Sequence, residues 1–303
     1  MKPLLEPSTI LETVENLIYD TVIDYTLAAQ GADHVVLKLK IQNGLDLIAK
    51  AGIDASTDAY VLKKFENTNI KVPRLLAQTT ITNRGKEYPI LVMTCFEGKL
   101  LKDIQVEKKF KYVKTVFEEI NKVYTFKSPG RSGYVLEVTD GKDYSWKEFL
   151  LKNLNGENPE FNWDFVFQND LVDRGLLQKA LSVAREKLLD LDDQSITPVL
   201  IHTDLNENNI FTKKNDLDGI VDWSDSKYGD PLFDYARFRM NIIHRMNERA
   251  LDEYWKSMVL SPKEKERENL YYLLNLIEYV NWYALDNSKE MLPIQMSLLR
   301  KIL

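Results

Sequence analysis

A chain of 303 residues, 44% hydrophobic and 28% charged, has the make-up of a folded globular protein and is long enough for two lobes with separate cores. Its 46 acidic residues outnumber 40 basic ones, and the formal charge of −6 leaves no basic surplus of the kind a nucleic-acid binder needs. The single cysteine, Cys95, excludes an internal disulfide framework and a cysteine-based zinc cluster. Its strand-like flanks, Val92-Met93-Thr94 and Phe96, predict a buried spectator thiol. Residues 1–30 lack the charged-then-apolar layout of a signal peptide, and no run approaches the roughly 20 apolar residues of a membrane span. The expectation is a cytoplasmic protein, monomer or homodimer, that engages neither nucleic acid nor membrane.

Along the chain, Ile10, Leu11, Val14, Leu17 and Ile18 recur at helical spacing and assign residues 5–30 to a helical segment. Two β-like runs, 34–41 and 45–49, flank Asn43-Gly44, a hairpin signal. A short helix follows, with Asp54 or Ser56 as N-cap and Tyr60, Val61, Leu62 and Phe65 as its apolar positions; Val72-Pro73 ends that pattern. Strand-like runs 75–82 and 88–95 complete a small sheet with one helix. After Gly98 the texture changes to amphipathic helices, near 107–126, 145–155, 171–192, 231–257 and 263–302 with breaks. Between the third and fourth lie the only β-rich segments of this half, 199–201, 210–212 and 219–223. The expected architecture is therefore α+β and bilobal. A β-rich first lobe covers 1–97 and a mostly helical second lobe covers 98–303, with a cofactor cleft between them.

The chemistry-bearing stretch begins at Ile201. His202, Asp204 and Asn209 spell H-x-D-x-x-x-x-N, and Asp222 follows at the end of a strand in Ile220-Val221-Asp222-Trp223. Phosphoryl transfer needs a carboxylate beside the attacking hydroxyl and oxygen ligands that hold magnesium against the phosphates. An Asp and an Asn on one loop, with a second Asp on a neighbouring hairpin, supply those parts. A lone His or Asp is usually a cap or a surface contact; the ordered set with its flanking strands carries the argument. Gly229-Asp230-Pro231 reads as the start of a helix, with Asp230 as N-cap and Pro231 at its first position.

This set resembles the aminoglycoside phosphotransferase family, relatives of the protein kinases, from about Gln30 to the last helices. The resemblance implies a protein-kinase-like fold and a kinase of small molecules using ATP or GTP with Mg2+. It makes Asp204 the catalytic base or orienter of the acceptor hydroxyl, Asn209 and Asp222 the metal ligands, and His202 and Asp234 braces of the loop. In the first lobe it puts Gly31, within Gln30-Gly31-Ala32-Asp33-His34, in the place of the phosphate loop. It makes Lys50 the foremost phosphate lysine, with Lys38 and Lys40 as rivals, and Asp58 the helix partner of that lysine where Glu is usual. Met93, Thr94 and Phe96 occupy the place of the adenine-facing hinge.

Short matches resemble the hygromycin B branch of the family: Asp58-Ala59-Tyr60-Val61, Ser132-Gly133-Tyr134, Tyr144 to Phe149, and Asp222 to Ser226. They imply a cationic antibiotic as acceptor, met by Asn206, Glu207, Asp225, Tyr235 and Trp282. Aromatic residues at helical spacing are more often core, and Arg239 would repel a cation unless paired. Kinases of macrolides, choline, homoserine or sugar amines are the alternatives within the class, and a nucleotide-binding pseudokinase is the alternative outside it.

Overall fold

The computed structural model describes residues 5–30, 34–142 and 144–303. The described chain opens with α1 (Pro7–Ile18), β1 (Val22–Gln30), β2 (His34–Ile41), β3 (Asp46–Gly52), α2 (Ala55–Phe65), β4 (Leu75–Asn83), β5 (Lys86–Thr94) and β6 (Lys99–Leu100). It continues through α3 (Val106–Val123), β7 (Gly133–Tyr134), α4 (Val135–Thr139), α5 (Trp146–Asn155), α6 (Trp163–Val166) and α7 (Arg174–Leu189). Then come β8 (Val199–Ile201), β9 (Ile210–Lys213), β10 (Asp216–Ile220), β11 (Lys227–Gly229), α8 (Pro231–Arg245), α9 (Glu248–Lys256), α10 (Pro262–Leu285) and α11 (Met291–Ile302). The fold is α+β. Two compact units divide it: Met1–Ile104 with Glu207–Ser226, and Gln105–Asn206 with Lys227–Leu303.

The first unit is built on a five-stranded antiparallel sheet in the order β1-β2-β3-β5-β4. Asn43-Gly44 makes the β2–β3 turn, with Gly44 at φ +90° and its N–H on the Ile41 carbonyl at 2.9 Å. That turn sets the register, Leu39 opposite Leu47, and brings Val35, Leu37, Leu39 and Ile41 to one buried face. Ile10 and Val14 of α1 pack on that face. The expected helical segment of 5–30 is shorter in the structure. Helix α1 ends at Ile18, Tyr19 turns left-handed at φ 54°, and 22–30 forms the edge strand β1. The run Thr21-Val22-Ile23 with Tyr25 and Thr26 is β-branched and aromatic, which favours a pleated surface over a helix.

The β9–β10 hairpin belongs to this unit because β9 pairs with β6, Lys99 opposite Thr212. Cys95 lies just past the end of β5 at Thr94 and is partly exposed, so it is not the fully buried thiol its flanks predict.

The second unit is mainly helical and holds the short sheet β7-β11-β8. The expected 231–257 helix is two helices. At Met246 the backbone becomes extended, and Asn247 caps α9 by accepting the Ala250 N–H at 3.1 Å. Ser261 and Glu264 form a reciprocal capping box that starts α10, with Pro262 at its first position. Among the described residues no helix is long and apolar enough to cross a membrane.

Trp146 and Phe149 lie in the core of this unit, stacked at 5.6 Å, and the Trp146 indole N–H donates to the Tyr271 hydroxyl at 3.1 Å. Gly229 of β11 lies against that indole: a Cβ there would meet Trp146 Cζ3 at 2.6 Å. Trp146 is held by its stacking and its hydrogen bond, so the ring has nowhere to retreat. Gly229→Ala is expected to lower the unfolding free energy by about 1–3 kcal/mol, the usual cost of overpacking. Urea denaturation followed by tryptophan fluorescence checks this; an unchanged midpoint would contradict it.

Candidate active site

In the second unit β8 delivers His202, Thr203 and Asp204. Thr203 sits at φ +63°, a conformation costly for a β-branched residue. Three contacts hold it. Asp234, in the first turn of α8, accepts the His202 N–H at 2.8 Å and the Thr203 N–H at 2.7 Å on its two oxygens, and Lys227 Nζ donates to Thr203 Oγ1 at 3.2 Å. Hydrogen bonds to a charged acceptor contribute about 1.5–3 kcal/mol each, enough to offset a strained residue. Burial pushes the Asp234 carboxyl up, against the pull of His202 and the two amides.

His202 Nδ1 accepts the Asp204 N–H at 3.2 Å, so that nitrogen carries the lone pair. The buried imidazole acts on the loop's backbone. The Asp204 carboxylate receives the Tyr279 hydroxyl on Oδ1 at 3.1 Å, and Asn206 Nδ2 donates to the Asp204 carbonyl at 3.2 Å. Asp230 caps α8, accepting the Leu232 N–H at 3.0 Å while its other oxygen takes the Tyr271 hydroxyl at 2.9 Å and lies 2.8 Å from Arg267. This is the capping role its Gly-Asp-Pro setting predicts.

In the first unit Lys50 of β3 is buried beneath two carboxylates, Asp58 Oδ2 at 2.7 Å and Asp222 Oδ1 at 2.9 Å, with Asp54 at 3.7 Å. Burial alone would lower the Lys50 ammonium; Asp58, Asp222 and Asp54 overcome it and hold the group well above the ordinary lysine value. Burial would likewise raise Asp222, but Lys50 and the Ser224 hydroxyl, 2.8 Å from Oδ1, hold it well below the usual carboxylate range. The second oxygen of Asp58 accepts the Trp223 N–H at 2.8 Å, so one side chain pins both the lysine and the backbone next to Asp222. Removing it would break a buried ion pair and leave Lys50 to Asp222 and Asp54 alone. Asp222 itself is at φ +63°. The rival Lys38 is paired with Asp46 at 2.9 Å on the exposed strand surface, and Lys40 is exposed.

The Val221 N–H donates to the Asn209 carbonyl at 2.9 Å, so Asn209 and the residue before Asp222 share one hairpin base. A carboxylate and an amide oxygen are hard donors of the kind magnesium takes, with phosphate and water completing the shell. Among the described residues there is no cluster of three or more His, Cys, Asp or Glu that would cage a metal by itself. Two protein donors fit a metal shared with a substrate.

The other predicted residues are distributed as follows. Gly31 lies outside the described residues. Met93 is buried in β5, and Thr94 exchanges two hydrogen bonds with Arg74, at 3.0 and 2.9 Å. The Phe96 ring packs on Phe211 and against Gly219, where any Cβ would overlap it. Glu207 is buried in the first unit and its carbonyl accepts the Lys102 N–H at 3.1 Å; Asp225 is half-buried there. Tyr235 is half-buried, packs on Phe117 and Tyr124 and donates to Asn121. Trp282 is 61% exposed on α10. Arg239 is neutralised by Glu268 at 3.0 Å and lies over Tyr272. Asp54, read from the sequence only as a helix cap, lies 3.1 Å from His34 of the phosphate-loop stretch, and Ser224, quoted only within the Asp222 to Ser226 match, donates to Asp222. Only Ser224 carries a local signal, two residues beyond Asp222.

The family model of the phosphotransferase enzyme family (APH) matches residues 51–258, more than half of the chain. The chain belongs to this family of aminoglycoside phosphotransferase-like, kinase-related enzymes, and is a small-molecule phosphotransferase with an alcohol group as acceptor. Solved structures share the fold at low identity. Aminoglycoside phosphotransferase APH(4)-Ia matches at 15% identity and TM-score 0.76, with 97% of this chain and 98% of that one covered. A thermostable mutant of it, in ternary complex with AMP-PNP and hygromycin B, matches at 14% and 0.74, covering 97% of both chains. The amicoumacin kinase hAmiN, in complex with AMP-PNP, Ca2+ and Ami, matches at 12% and 0.72, with 98% of this chain and 94% of that one covered. No curated protein matches in sequence.

The His34–Asp54 contact makes stability pH-dependent. The hydrogen bond that its ring N–H donates to Asp54 raises the His34 imidazole above its ordinary value of 6.5. A raised histidine contributes stability that is complete below the unfolded value and lost as pH rises through the folded one. The stability gap between the native chain and Asp54→Asn should therefore be larger at pH 6 than at pH 9. Partial exposure keeps the difference below about 1 kcal/mol. Denaturant titrations at both pH values check this, and equal gaps would contradict it.

Proposed function

We propose that the protein transfers the γ-phosphoryl group of ATP or GTP to a hydroxyl of an antibiotic, with an aminoglycoside of the hygromycin B type as the first acceptor to test. The observation that carries the reading is the buried arrangement in which Asp58 holds both Lys50 and the backbone beside Asp222. A lysine stripped of water and clamped by carboxylates is the part a kinase uses on its nucleotide phosphates. In this reading Lys50 meets the triphosphate, and Met93, Thr94 and Phe96 flank the base. Asn209 and Asp222 would hold Mg2+, which neutralises charge on the phosphates when bound. Asp204 accepts or orients the proton of the attacking hydroxyl, and His202 sets the backbone that presents it. Phosphate contact by Gly31, and acceptor contacts by Asn206, Glu207, Asp225, Tyr235 and Trp282, complete the proposal. A cytoplasmic site of action accords with dependence on a nucleoside triphosphate.

Two findings support an antibiotic acceptor. The APH(4)-Ia variant was crystallised with hygromycin B, and Arg239, which would repel a cation, is neutralised here. The amicoumacin kinase shares the fold at similar TM-score, so kinases of other small molecules remain the second reading. Acceptor-dependent nucleotide turnover across a panel that includes hygromycin B, a macrolide, choline and homoserine separates them. Asp204→Ala should lower kcat by about 10²–10⁴-fold with the accepted compound, the usual scale for a positioned base. Asp222→Ala should abolish Mg2+-dependent transfer, whereas Glu207→Ala should mainly raise the acceptor KM. Equal losses confined to acceptor KM would refute the role assignment. Nucleotide binding with no turnover of any acceptor would favour a pseudokinase.

A further inference from the structure

In the second unit the Asp204 carboxylate makes a polar contact that the reading above does not use. The Tyr279 hydroxyl, on α10, donates to Asp204 Oδ1 at 3.1 Å. A tyrosine on a helix facing a core is ordinarily there for its ring. Here the ring is held so that its hydroxyl meets the carboxylate. The Arg237 guanidinium lies over one face at 4.5 Å from the ring centroid, and Tyr283 meets the ring edge-on at 5.4 Å and 75°. Arg237 is itself 1% exposed and paired with Glu278 at 2.9 Å. Asn241 Nδ2 lies 3.1 Å from the Arg237 carbonyl and 3.4 Å from the Leu205 carbonyl, tying α8 to the residue after Asp204. Two helices and the loop thus converge on one hydrogen bond.

We propose that Tyr279 is a positioning residue for Asp204, fixing the rotation of its carboxyl group so that the base meets the acceptor hydroxyl in one orientation. The inference rests on Asp204 being the base. A carboxyl turns readily about its Cβ–Cγ bond, because that torsion is broad. A base acts only within hydrogen-bond reach, about 2.6–3.2 Å, of the proton it takes. An O–H donor on one oxygen removes that freedom and also favours the ionised form. Burial, and then the charge of Asp204, push the Tyr279 phenol well above its ordinary value, so it stays a donor throughout the working pH range. The charged and titratable groups around this contact are Arg237 and Arg245 of α8, Glu278 and Tyr283 of α10, and His202 of the loop.

Tyr279→Phe in the full chain keeps the ring and its contacts with Arg237 and Tyr283 and removes only the donor. With hygromycin B and ATP, kcat should fall at least tenfold while both KM values stay within twofold, and the acid limb of kcat should move to higher pH. An acceptor-independent arm uses protein labelled with 13C at the aspartate carboxyls. The Asp204 signal, assigned by its loss in Asp204→Asn, should titrate at higher pH in Tyr279→Phe than in the native chain. A residue that only packs would move neither readout. An unmoved Asp204 titration overturns the proposal whether or not hygromycin B is an acceptor, as does a change in acceptor KM alone. Failure of the base assignment looks different: Asp204→Asn would then retain turnover of an acceptor that the native chain phosphorylates.

Discussion

A single carboxylate, Asp58, organises the buried polar cluster of the first unit. Its two oxygens take different partners, the Lys50 ammonium and the Trp223 amide. Lys50 on β3 cannot be buried without a counter-charge, and Asp222 cannot keep its left-handed backbone without an anchor on the next residue. Asp58 lies on the buried face of α2 with Ala55, Ala59, Val61 and Leu62, where its two oxygens reach both partners. The aspartate is one methylene shorter than the glutamate the family usually carries, and it still spans both partners. The consequence is a lysine and a metal-type carboxylate whose positions are set by the same group.

The second unit repeats the device with different residues. Thr203 is at the same φ of +63° as Asp222, and it too is secured by a buried aspartate, Asp234, through backbone N–H groups. In each unit the strained residue is, or immediately precedes, one that the proposed chemistry requires. Strain of this kind persists only where the surroundings over-determine it. Buried carboxylates are suited to the task because they accept two amides or an amide and a cation at once, and inside a protein such bonds are stronger than in water. Around Asp204 the same logic continues through Tyr279 and Arg237, each held by the next.

The parts of the site that were legible in the chain are those carried by local spacing. His202, Asp204 and Asn209 share one loop, and Asp222 ends the following hairpin, so their order along the chain already carries the resemblance on which the proposed chemistry rests. Asp230 could be read as a cap because capping depends on its immediate neighbours. Edge strand β1 was not legible as such, since the helical spacing of Ile10 to Ile18 runs up to it and only its β-branched content marks the change. The break at Met246 was hidden for a similar reason: apolar periodicity continues across it, and one Asn cap redirects the chain. The neutralisation of Arg239 by Glu268 depends on helices α8 and α10 packing together, which no spacing encodes.

The sequence by itself pointed to the enzyme class, through the ordered set His202, Asp204, Asn209 and Asp222 and the family resemblance it carries. It determined the α+β layout too, through the change from period-2 to helical patterning near Gly98. Only the tertiary structure decided which lysine is buried against Asp58 and Asp222, since that choice among Lys38, Lys40 and Lys50 turns on strand register. It also decided that Glu207–Ser226 belongs with the first unit, because β9 pairs with β6 more than a hundred positions away. Local chemistry is written in neighbouring residues; a buried ion pair needs partners that only folding brings within 3 Å.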